Sequence, residues 1–126
     1  MAVNKKTFID NNDITLSVCL YICEDKNEVQ GIIKKSIGYL PCDCSDVFWI
    51  DNDNNYMLAI RKDANMGRVA HEIFHLVIAH ADLNGYNPND YELIKPKSDK
   101  SYQYIPAELC AKLIEDIMGW VINKKE

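Results

Sequence analysis

The chain contains three histidines, and two of them bracket a glutamate in His71-Glu72-Ile73-Phe74-His75. At about 100° per residue, positions four apart on an α-helix lie on one face, one turn apart, so His71 and His75 project together. Two imidazoles placed this way reach one divalent ion at about 2.0–2.1 Å, the geometry of a zinc site. Glu72 leans to the same side without being a ligand. Its carboxylate can take a proton from a metal-activated water and return it to a leaving amine, the work of a general base in peptide hydrolysis. Shuffling this composition produces HExxH in roughly one sequence in several hundred. Burying two histidines and a glutamate on one helical stripe without a metal is costly.

A zinc site takes a third protein ligand. His80, the remaining histidine, sits five residues beyond His75 and points about 140° away along a continuous helix. No Gly or Pro intervenes to swing it back, so it reads as a surface or packing residue. Asp82 lies on the ligand stripe but two turns on, about 10 Å away, so it reads as a supporting group rather than a ligand. The preferred carboxylate is Glu108, early in a C-terminal helix, beside the small residues Ala107 and Ala111 that permit close approach of a second helix. Glu115, Asp116 and Glu92 are the alternatives. An oxyanion donor near the reacting carbonyl is also required; Tyr104 or Tyr102, late in the connection before that helix, is placed to supply a hydroxyl.

The elements that must position these groups follow from periodicity. Ile14 to Cys23 is β-branched and apolar and predicts a strand. Lys26 to Ile37, with Val29, Ile32, Ile33 and Ile37 at helical spacing and Gly38 as a stop, predicts an amphipathic helix. Val47–Ile50 and Tyr56–Ile60 flank an Asn/Asp run and predict a hairpin. Asn65 to Leu83 is strongly helical, and Asn84-Gly85 closes it. Asn84 to Tyr104 is polar, carries Pro88 and Pro96, and is expected to be a loop or lid. Pro106 fits the first turn of a last helix, with Glu108 at its N-terminus and Lys124-Lys125 at its C-terminus. The expected order is β-α-β-β-α-loop-α, an α+β fold in a single domain over residues 1–126.

With 126 residues, 48% hydrophobic and 26% charged, the composition is that of one ordinary globular domain. A net charge of −5, from 14 basic against 19 acidic residues, argues against a bulk basic surface for nucleic acid or anionic membrane. No apolar run approaches the ~20 residues of a membrane span, and no apolar stretch follows Lys5-Lys6, so no secretory signal is expected. Five cysteines in such a chain read as reduced thiols, and a cytoplasmic location is expected. Cys19, Cys23, Cys42 and Cys44 match zinc knuckles poorly and read as buried structural thiols. Trp49 and Trp120 are expected in the core.

An HExxH followed at a distance by a glutamate on a second helix resembles the gluzincin arrangement. The hairpin, HExxH helix, loop and glutamate helix together, about Val47 to Val121, resemble the minimal zincin-like metallopeptidases of phages and mobile elements, distantly akin to the ImmA/IrrE family. That resemblance implies a small zincin-like domain in which His71, His75 and Glu108 bind zinc, Glu72 is the catalytic base, and the substrate is a protein or peptide. It also implies that the strand Tyr56–Ile60 is an edge that pairs with an extended peptide. Lys112 stands where gluzincins often place an aspartate, and the Glu-Ala-Asn run of ImmA-type proteins is absent. The alternative reading is a catalytically idle zinc-binding adaptor that acts through protein–protein contacts.

Overall fold

In the computed structural model, residues 2–86, 95–98, 101–103 and 106–126 are described. Strand β1 (Ala2–Ile9) turns back antiparallel onto β2 (Thr15–Cys23), with Ile9 opposite Thr15 and Ala2 opposite Ile22. The turn is held by Asp10, whose Oδ1 accepts the N–H groups of Asn12 at 2.8 Å and Ile14 at 3.0 Å. Helix α1 (Lys26–Ile37) follows. Asp25 caps its N-terminus by accepting the Glu28 N–H, and Gly38, at φ 88°, closes its C-terminus by donating to the Lys34 carbonyl. Strands β3 (Val47–Ile50) and β4 (Tyr56–Arg61) form the next hairpin. Asp51 Oδ1 accepts the N–H groups of Asp53 and Asn55 across its turn.

β4 inserts beside β2 in parallel, Val18 opposite Tyr56 and Cys23 opposite Arg61, which makes a four-stranded mixed sheet of order β1-β2-β4-β3. Alternation along the strands then divides the core. Leu16, Val18 and Leu20 of β2 and Tyr56, Leu58 and Ile60 of β4 face helices α2 (Met66–Leu83) and α3 (Pro106–Lys125). Cys23 of β2, Met57 and Ala59 of β4, and Val47 and Trp49 of β3 face α1. Helices thus cover both faces of the sheet in an α+β fold. A separate two-stranded ribbon pairs β5 (Lys95–Ser98) with β6 (Ser101–Gln103).

Four expectations change. The N-terminal residues form β1, a strand hidden in the sequence because an edge strand with polar residues at Asn4, Lys5, Lys6 and Thr7 shows no apolar alternation. Part of the expected loop Asn84–Tyr104 is the β5–β6 ribbon. Tyr56–Ile60 is not an edge. β4 is bonded on both sides, to β2 and to β3, so the sheet edge beside α2 belongs to β3. The thiols also divide: Cys23 is buried, but Cys42 is exposed and Cys19 and Cys44 are half-buried. Trp49 and Trp120 lie in the core as expected. Among the described residues no helix is long and apolar enough to cross a membrane.

Candidate metal centre

Helix α2 positions the site. Asn65 caps it by accepting the Arg68 N–H at 2.9 Å, and its C-terminus folds back through Asn84 and Gly85. Val69, Ile73, Leu76, Val77 and Ala81 seal one side into the core. That leaves His71 and His75 on the exposed side, one turn apart. Their Nε2 atoms converge to 3.1 Å, with the rings edge-on at 80°. Two nitrogens on one tetrahedral ion at about 2.0–2.1 Å stand about 3.3 Å apart. The separation of the two nitrogens is therefore close to that of two ligands on one ion.

Glu72 lies on the inner side of the two imidazoles. It is buried, and its Oε1 accepts the Phe48 N–H at 3.0 Å, a bond from the outer edge of β3. Its Oε2 lies 3.7 Å from His71 Nε2 and 3.4 Å from Arg68 Nη2. Arg68, one turn earlier, also approaches Asp46 Oδ2 at 3.7 Å. Asp46 is buried and accepts the Arg61 backbone N–H at 2.8 Å and the Arg61 guanidinium at 3.0 Å. Burial pushes the Asp46 carboxyl up, but the Arg61 hydrogen bonds and the charges of Arg61 and Arg68 outweigh it, and the group is held below the usual carboxylate range. A chain of alternating charge, Asp46–Arg68–Glu72, thus anchors the glutamate beneath the histidines. Phe48 and Asp46 are 24 or more residues from Glu72 in sequence, so nothing local announced them. The Arg68–Glu72 pair, at i,i+4, was visible as spacing.

Among the described residues, His71, Glu72 and His75 are the group whose potential ligand atoms lie close enough together, within 4.8 Å of one another, to hold a metal ion. Glu108 is in the first turn of α3 with its side chain exposed, and it is not part of that group. Glu115 is exposed and Asp116 half-exposed on the same helix, with Asp116 bonded to Lys112. Tyr104 and Glu92 lie outside the described residues, and Tyr102 falls in β6. His80 is a packing residue. It is 1% exposed, and its Nε2 lies 2.9 Å from Asp10 Oδ2 at the β1–β2 turn. Asp82 lines a groove of about 480 Å³ with His75, Phe48, Ile78, Ala79 and Tyr86. No family model, no curated protein and no solved structure matches the chain.

Proposed function

We propose that the chain is a zinc-dependent peptidase in which His71 and His75 hold the ion and Glu72 is the general base. The observation that carries this is the pairing of two converged, exposed imidazole nitrogens with a buried carboxylate whose Oε2 is 3.7 Å from one of them. A bound zinc ion supplies Lewis acidity, lowering the pKa of water and polarising a carbonyl. Glu72 accepts the proton of the attacking water at Oε2 and passes it to the departing amine, while the Phe48 N–H and Arg68 keep the side chain in place. Two imidazoles leave a position for a carboxylate, which the resemblance to gluzincins assigns to Glu108. The outer edge of β3, next to Glu72, is where an extended peptide would add as a strand, through backbone groups of that edge other than the Phe48 N–H.

The test compares wild type with Glu72→Gln, both loaded with zinc, on a mixed peptide library analysed by mass spectrometry. Cleavage in wild type that falls at least about 100-fold in Glu72→Gln at unchanged zinc content supports the reading. Zinc bound by both proteins with no cleavage by either rejects it in favour of an idle, zinc-binding adaptor.

A further inference from the structure

His75, Ile78, Ala79 and Asp82 are spaced i, i+3, i+4 and i+7 on α2, so they form one face about 10 Å long. That face is one wall of the 480 Å³ groove, and Phe48 of β3 and Tyr86 contribute to the rest of its lining. The lining is apolar and aromatic between two polar ends, with His75 at one and the carboxylate of Asp82 at the other. Asp82 is exposed, and no Lys or Arg joins the described lining. The groove also meets the outer edge of β3, because Phe48 belongs to both.

Resting on the peptidase reading, we propose that this groove selects a lysine or arginine side chain in the substrate, one residue from the bond presented to His71 and His75. The dimensions agree. Consecutive Cα atoms of an extended peptide are 3.8 Å apart, and a lysine stem reaches about 6 Å from Cα to Nζ. Set at right angles, as an extended strand sets them, these span about 7 Å, and the Asp82 side chain with its ion-pair distance covers the rest of the roughly 10 Å from His75 to Asp82. The methylene stem packs on Ile78, Ala79 and Phe48, and the cationic head meets the Asp82 carboxylate beside the ring of Tyr86. A purely apolar side chain fills the same walls but leaves the Asp82 end unused, and an acidic one is repelled there.

The experiment measures binding, so it does not depend on turnover. Blocked alanine tripeptides with a central lysine, norleucine or glutamate are titrated into zinc-loaded protein, with NMR shifts followed at the Ile78 and Ala79 methyl groups. The lysine peptide is expected to bind about fivefold more tightly than norleucine, the upper end for a solvent-accessible ion pair, and that margin shrinks in 1 M salt. Asp82→Asn removes the margin, and Asp82→Lys reverses the order in favour of glutamate; Asp82 is exposed, so neither variant threatens the fold. Equal binding of lysine and norleucine to wild type, a lysine margin that survives Asp82→Asn, or no shift at Ile78 and Ala79 with any peptide would overturn the proposal. Mass spectrometry of the same samples reports cleavage separately. Lysine selectivity without cleavage keeps the groove and sinks the peptidase reading; cleavage without selectivity does the opposite.

Discussion

Replacing Asp10 with alanine tests how the far end of α2 is fixed. The Asp10 carboxylate is fully buried and accepts four donors: the Asn12 and Ile14 N–H groups on Oδ1, and His80 Nε2 at 2.9 Å and the Tyr86 hydroxyl at 3.4 Å on Oδ2. His80 is itself 1% exposed. The two turn N–H groups lie in half-exposed residues and can turn to water, so losing their acceptor costs about 0.5–1.5 kcal/mol each. The His80 nitrogen has no such escape, and its orphaning costs about 1–3 kcal/mol. The sum for these three donors, roughly 2–6 kcal/mol, brackets the cost of removing one partner from a buried pair. At about 2.1 cal/mol/K of unfolding entropy per residue, the chain's unfolding entropy makes that a fall in Tm of roughly 8–23 °C. Asp10→Asn keeps an oxygen for the turn but turns an N–H2 donor toward the donating His80 nitrogen, so it should cost less than Asp10→Ala, about half as much, without restoring wild-type stability. Thermal unfolding followed by circular dichroism measures both. A loss under about 4 °C for Asp10→Ala, or equal losses for the two variants, would refute the claim that this pair ties the β1–β2 turn to α2. Zinc content in Asp10→Asn should match wild type, because His80 is a packing residue and not a ligand.

Two further outcomes follow from the buried groups. The Asp46 carboxyl is depressed in the folded state, so the stability it contributes is present above the unfolded value of about 3.9 and is lost as pH falls through the lower folded value. Denaturant titrations between pH 6 and 3 should therefore show a shallower acid loss in Asp46→Asn than in wild type, and parallel curves would contradict the assignment. Among the thiols, burial pushes Cys23 up to about 12 and, helped by Cys42, pushes Cys44 up to about 11. With an aromatic disulfide reagent at pH 8, Cys42 should react first, and Cys23 should stay protected until the protein unfolds; early modification of Cys23, read by peptide mapping, would contradict its placement.

Much of the frame was legible because it follows local periodicity. The α1 limits, set by Asp25 and Gly38, and the β3–β4 hairpin around Asp51–Asn55 appear where the sequence places them. The i,i+4 convergence of His71 and His75 is likewise a property of any α-helix. What stayed hidden depends on contacts distant in sequence. Among the β1 residues whose burial is described, only Phe8 reaches the core, so its strand character comes from pairing with β2 rather than from its own pattern. β4 is central because β2, across the α1 crossover, pairs with it in parallel, and no local signal sets which hairpin strand faces outward. His80 has no polar partner within a turn upstream that could have exposed its role; Asp10 is 70 residues away. The HExxH spacing singled out Glu72, but the Phe48 N–H and the Asp46–Arg68 chain that hold it were not legible.

The most direct test of the central claim is zinc stoichiometry by elemental analysis after equilibrium dialysis, on wild type, His71→Ala, His75→Ala, Glu72→Gln and Glu108→Ala. The account predicts about one zinc per chain in wild type and in Glu72→Gln, and none in either histidine variant. Loss in Glu108→Ala would assign the third ligand to α3. Wild-type protein without zinc after reconstitution, or full zinc in His71→Ala and His75→Ala, would contradict it.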